Sequence, residues 1–309
     1  MTLSDTPITL TGPLRSPRQL LADQTYDGHV SVHDDEMADK LGLAGAPIEG
    51  PTHFSQFEPL VAALWGERWF SDGCLSAHFL NMVVEGEQVQ ATVALDGPGA
   101  TSARIDAAKA DGTPVLTGTA SIGPEHGETE LQPRITKARD QPASDLVILD
   151  QLSLGQRGEI ADVVSTSADV HYGDMYPFTL QRKLDTITES LRWHDPVHGA
   201  ETPWGAAVVP MEMFSVLAGA GSRGSGFNVR QPSVGLFIDL EVRVLGRPVL
   251  VGREYRIERE VIGLAQSRRT ESYWTRSTLV DVEYDVATAE VVLHNGVFKD
   301  SYPDYPSAD

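Results

Sequence analysis

Residues 45–57 read GAPIEGPTHFSQF: glycines and prolines in quick succession, Glu49 and His53 four residues apart, and then an apolar run. Phe54, Phe57, Leu60, Val61, Leu64 and Trp65 continue that run at spacings of three and four, the pattern of a helix with one buried face. Gly50-Pro51-Thr52 suits a helix start, since proline is tolerated in the first turn. Pro59 lies deeper, where it should kink or split the helix, and Gly66 should end it.

Outward from this helix the pattern changes to strands. Residues 75–95, LSAHFLNMVVEGEQVQATVAL, read as two strands joined by a tight Glu85-Gly86-Glu87 turn. Residues 101–123 read as a second pair that turns at Asp111-Gly112, a strong hairpin signal. A polar, proline-containing stretch, residues 124–147, has no sustained period and reads as a linker.

The order then recurs. GAAVVPMEMFS (205–215) aligns with GAPIEGPTHFS (45–55) at four of eleven positions, and strand-like runs follow at 235–246, 248–261, 272–285 and 288–299. His194-Asp195 precedes Gly205 by eleven residues, as His33-Asp34 precedes Gly45 by twelve. The expected organisation is a duplication, with one module over 1–124, a linker over 125–147 and a second module over 148–309. GAGSRGSG (219–226) follows the second helix and reads as a flexible glycine-rich loop.

An antiparallel sheet wrapped around one central helix, present twice, is an α+β architecture of the double hot-dog type. At this point the chain resembles the MaoC-like, R-specific enoyl-CoA hydratases. That family carries an Asp-x-Asn-Pro-x-His-x-Asp segment, an alanine, and a glycine-rich loop ending in Pro-Ile-x-His-Gly at the central helix. The corresponding text here is VSVHDDEMADKLGLAGAPIEG (30–50). His33 and Asp35 match the His-x-Asp pair, Ala38 falls near the alanine, and Pro47, Ile48 and Gly50 match the helix start. The resemblance covers roughly residues 20–123. Gly28 stands where the family has its first aspartate, Asp27 is one place early, Val30-Ser31 replaces Asn-Pro, and Glu49 replaces the helix-start histidine.

The resemblance implies a hydratase or dehydratase acting on an α,β-unsaturated or β-hydroxy acyl thioester, or a related carbonyl compound. A hot-dog thioesterase and a non-catalytic protein that binds an acyl group or another small molecule are the alternatives. On the first reading the amides near Gly50 and Thr52 hold the carbonyl oxygen. His33, His53, Glu49, Asp34 and Asp35 are the candidates for moving protons. For the thioesterase, Glu49 is the expected base or nucleophile. The second copy has Val209 and Met213 where the first has Glu49 and His53, so one working site per chain is expected.

Two further groups carry histidines and acids. His171, Tyr172 and Asp174 in ADVHYGDMYPF could line the cleft from the second module. His194, Asp195 and His198 in WHDPVH lie close together, but Pro196 opposes a regular helix and no metal is expected. No cofactor is expected either, because a carbonyl conjugated to the double bond is its own electron sink.

The formal charge of −20, from 24 basic and 44 acidic residues, opposes broad nucleic-acid or anionic-membrane binding. Arg104, Lys109, Arg268, Arg269 and Arg276 are the local candidates for a phosphate, as a CoA thioester would need. The single cysteine, Cys74, excludes an intrachain disulfide and reads as a buried hydrophobe. The first residues carry no charged start followed by an apolar run, and no apolar stretch reaches about 18 residues, so a cytoplasmic protein is expected. A homodimer is left open.

Overall fold

The computed structural model describes residues 6–21, 24, 39, 42, 45–159 and 162–306. The expected His33, Asp34 and Asp35 lie outside the described residues, as does most of the segment that carries the family resemblance.

The chain builds one ten-stranded antiparallel sheet. In chain order the strands are β1 (Ile8–Thr11), β2 (Gly73–Phe79), β3 (Val89–Leu95), β4 (Ser102–Lys109) and β5 (Pro114–Ile122). The second half supplies β6 (Asp162–Ser165), β7 (Gly235–Val244), β8 (Glu254–Gln266), β9 (Thr270–Asp281) and β10 (Val286–Phe298). Their order across the sheet is β1-β3-β4-β5-β2-β7-β10-β9-β8-β6. Read from either outer edge to the middle, each half runs first, third, fourth, fifth, second. The two halves therefore share a topology as well as an element order. Two separate sheets were expected, but they merge at a seam where β2 pairs with β7, Ala77 opposite Leu240 and His78 opposite Asp239.

The β4–β5 hairpin turns at Asp111-Gly112 as the sequence predicts. Gly112 has φ 88°, and the Asp111 carboxylate accepts from the Thr113 N–H at 2.9 Å. The expected 75–95 hairpin does not form. β2 pairs with β5 and β7, whereas β3 pairs with β1 and β4. Between β2 and β3 the chain instead crosses the helix entry, where the Ile48 N–H donates to the Val83 carbonyl at 2.7 Å.

The central helix of the first half is broken, as proline chemistry requires. Gly50–Gln56 is a run of 3-10 turns with Pro51 in its first turn, α1 (Glu58–Trp65) starts afresh with Pro59 in its first turn, and Gly66 (φ 58°) separates it from α2 (Glu67–Asp72). Phe54, Phe57, Val61 and Trp69 are fully buried in the main core against Ala91, Val93, Ile105 and Ala120 of the sheet. The expected linker carries a helix of its own, α3 (Gln132–Asp140), packed on the outer face of the sheet with Ala138 against Trp274 and Val292. Later come α4 (Leu180–Leu184) and the second central helix, α5 (Met213–Gly219), whose Met213, Phe214, Val216 and Leu217 are buried. Cys74 is buried in β2, and burial pushes its thiol well above the ordinary range. No helix among the described residues is long and apolar enough to cross a membrane.

Candidate functional site

A cavity of about 670 Å³ lies between the two halves. The first half contributes Glu49, Gly50 and His53 from the helix entry and Phe79 from the end of β2. The second half contributes Met175 and Tyr176, the start of β7, and the inner faces of β9 and β10. Glu49, Gly50 and His53 are thus gathered on one wall.

Gly50 is first in the 3-10 run, a position whose backbone N–H has no partner within the helix. A Cβ there would lie 2.7 Å from the Phe79 ring, so only glycine lets the helix entry and that ring share the wall. His53 is buried, and its Nδ1 has no hydrogen-bond partner among the described residues. Burial lowers its pKa to about 4, so the imidazole is neutral at physiological pH.

Glu49 has a partner that the sequence reading missed. Lys183 of α4, buried, donates from Nζ to Glu49 Oε1 at 2.9 Å and lies 3.4 Å from Glu212 Oε1 at the start of α5. Burial disfavours the ammonium, but the charges of Glu212 and Glu49 outweigh it and hold Lys183 above the ordinary lysine range. Glu212 is raised to about 7, chiefly by burial, with Lys183 opposing and Glu49 adding to the rise. The three groups tie both central-helix entries to α4. Thr52 belongs to this ion cluster and not to the cavity wall: Lys183 Nζ is 3.5 Å from its Oγ1. A signal for Lys183 was present, because it stands three residues after Leu180 and one before Leu184, a charge on an apolar stripe. Glu212 is likewise the lone acid in VVPMEMF.

The loop at 171–174 does not bring its polar groups to the cavity. His171 and Asp174 are exposed, and Tyr172 is buried in the core, because the loop turns its polar side to solvent and presents Met175 and Tyr176 inward. His194 is buried, with Nδ1 2.8 Å from the Val208 carbonyl and Nε2 3.5 Å from Glu58, while His198 pairs with Asp195 at 2.7 Å on the surface. Of the phosphate candidates, Arg276 is paired with Glu260 and Lys109 with Glu87. The glycine-rich 219–226 loop is not loose. Arg259 on β8 donates to the carbonyls of Ala218 at 3.0 Å and Ala220 at 2.6 Å, and its Nη1 lies 2.7 Å from Asp162.

A separate polar group sits on the opposite face of the seam, beneath α3. Asp239 accepts from His78 Nδ1 at 2.6 Å and from His294 Nδ1 at 2.5 Å, the three side by side on β2, β7 and β10. Burial alone would raise Asp239; the two imidazole hydrogen bonds overcome it and bring the carboxyl to about 2.

Sheet order, the seam and the paired central helices define a double hot-dog fold. Solved structures agree. The chain superposes on a protein described as a MaoC-domain dehydratase from Chloroflexus aurantiacus J-10-fl with TM-score 0.61 and 12% identity, covering 96% of this chain and 95% of that one. It also superposes on a Mycobacterium tuberculosis protein, described as essential for survival during infection and as having a double hot-dog fold, with TM-score 0.55, 10% identity and coverage of 93% and 96%. At these identities the likeness is one of fold. No protein-family model and no curated protein sequence matches the chain.

Proposed function

We propose that the protein is a hydro-lyase of the MaoC-like kind, adding water to, or removing it from, an α,β-unsaturated acyl thioester or a related carbonyl compound. The observation that carries this reading is a neutral, unpartnered His53 beside the Gly50 helix entry on the wall of a largely apolar cavity. When water adds to the double bond, its oxygen bonds to the β-carbon and negative charge moves to the carbonyl oxygen. A proton is then taken up at the α-carbon. An imidazole with a depressed pKa is a poor proton acceptor but a good hydrogen-bond donor. His53 and the Gly50 N–H therefore serve the enolate oxygen. The proton-transfer role falls to His33 with Asp35, the pair that carries the family resemblance, or with the adjacent Asp34. Glu49, engaged by Lys183, fixes the helix entry.

The test is turnover of a series of trans-2-enoyl thioesters, followed by loss of the enoyl absorbance and by thiol release. His53→Ala lowers hydration by about 10²-fold, the effect of removing one oxyanion donor, with the thermal transition retained. Equal activity in wild type and variant refutes the role of His53. A second reading, a thioesterase, is favoured by Glu49, a residue of the cavity wall whose Oε2 has no hydrogen-bond partner among the described residues. Thiol release without loss of the double bond, abolished by Glu49→Gln, would establish that reading instead.

A further inference from the structure

The two halves of the sheet treat the inner face differently. In the first half β4 points Ala103, Ile105 and Ala107 inward, all buried in the core. Its topological counterpart, β9, places Tyr273, Thr275 and Ser277 at alternate positions on the cavity wall. Asn295 of β10, opposite Tyr273 in the ladder, joins them. Thr275 and Ser277 make no side-chain hydrogen bond to another described residue. Burial pushes the Tyr273 phenol up to about 12, so it keeps its proton and can donate. A strand that should bury an apolar face has instead three consecutive inward polar side chains. Facing a cavity, such groups are available to hydrogen-bond a guest, and a guest that covers them without bonding them pays for their desolvation.

The charges around this wall are already committed. Arg259, opposite Ser277 in the β8–β9 ladder, is paired with Asp162 and donates to the Ala218 and Ala220 carbonyls. Glu49 is paired with Lys183. An anionic guest group would find no unpaired cation among these described residues and would be desolvated at a cost. An alkyl group would leave the hydroxyls unpaired.

We infer that Tyr273, Thr275, Ser277 and Asn295 form a subsite for an uncharged hydrogen-bonding group, a hydroxyl, ketone or amide, carried by the substrate away from its reacting double bond. The guest is then a polar-tailed acyl compound and not a plain fatty-acyl chain. The identity of the reacting group rests on the hydro-lyase reading above; the polarity of the tail does not.

The experiment compares two probes of equal chain length, a trans-2-enoyl N-acetylcysteamine thioester with an ω-hydroxyl and one with a terminal methyl. Their saturated analogues, which cannot be hydrated, are titrated in parallel by calorimetry. Wild type prefers the hydroxyl probe by tenfold or more, because a site built to hydrogen-bond a hydroxyl rejects the analogue that lacks it by about tenfold or more. Thr275→Val with Ser277→Ala reverses the preference, while Thr275→Ser, which keeps the hydroxyl, retains it and guards against a misfolded double variant. A wild-type preference for the methyl probe, or a preference indifferent to these substitutions, overturns the inference. So does failure of both saturated analogues to bind, which would leave the hydroxyls as contacts for water alone. If neither thioester is hydrated yet the saturated hydroxyl analogue binds in a Thr275- and Ser277-dependent way, the hydro-lyase reading fails and the subsite stands.

Discussion

Lys183 is the one cation of the buried cluster that joins the two central-helix entries. It is surrounded by Glu49 and Glu212, and all three side chains are almost fully withdrawn from solvent. Removing the ammonium leaves two carboxylates in one buried place, and breaking such a cluster from one side costs about 3–5 kcal/mol. Lys183→Met should therefore lose roughly that much stability in urea denaturation at pH 7. Adding Glu49→Gln and Glu212→Gln to the same chain should restore most of it, because no uncompensated charge then remains. If the single variant is as stable as wild type, the cluster does not hold the two helix entries together. At this scale the sequence was legible where chemistry is local. Glu49, Gly50 and His53 stand within five residues and do share a wall. Lys183 was missed because its partner Glu49 is 134 residues away, a distance no local pattern encodes.

Among the elements, the first central helix repays the closest reading. Its two prolines predicted where it would break, since each removes a backbone donor and fits only a first turn. Gly50 does something its sequence context does not announce: it makes room for a ring from a different strand. Gly50→Ala should push the entry off Phe79 and destabilise by roughly 1–3 kcal/mol, as overpacking does. Phe79→Leu should recover part of the loss in the double variant, and thermal denaturation of the four proteins reads this directly. Additive losses would mean that the two positions do not meet. The false hairpin at 75–95 has a clear cause. A Gly-centred turn between two strand-like runs is a sound local signal, but partner choice in a sheet is decided by whichever edge is free. Here the edge of β2 is used by β5 and β7. The helix within the linker was missed for the opposite reason. RITKARD is mostly polar and carries only Ile135 and Ala138 as a packing face, too short a stripe to show a period.

At the scale of the whole molecule, buried groups should set how stability varies with pH. Glu212 is raised from an ordinary 4.5 to about 7, so the folded state holds this proton more tightly than the unfolded one. Its contribution is fully present below about pH 4.5 and is lost as pH rises through 7. His53 works the other way. Lowered from 6.5 to about 4, it contributes stability above pH 6.5 that is lost as pH falls through 4. Glu212→Gln should therefore gain on wild type as pH rises from 5 to about 8, in denaturation curves taken at each pH. A constant difference between the two proteins across that window would show that Glu212 does not titrate there. The duplicated plan was largely legible, because element order survives when residue identity has faded to four matches in eleven. The merging of the two sheets was not, because edge-to-edge pairing of β2 with β7 leaves no signature in either strand alone.

The ion cluster also bears on ancestry and engineering. Identical subunits meeting about a two-fold axis contribute the same groups from each side, so every residue type arrives in pairs. One lysine shared by two acids from two helix entries, with Thr52 on one side where Glu212 stands on the other, cannot arise in that way. If residues 1–124 and 148–309 are co-expressed as separate polypeptides, they should associate only as a mixed pair, visible as a one-to-one complex by native mass spectrometry. A self-paired species of either fragment would show that the copies are still interchangeable.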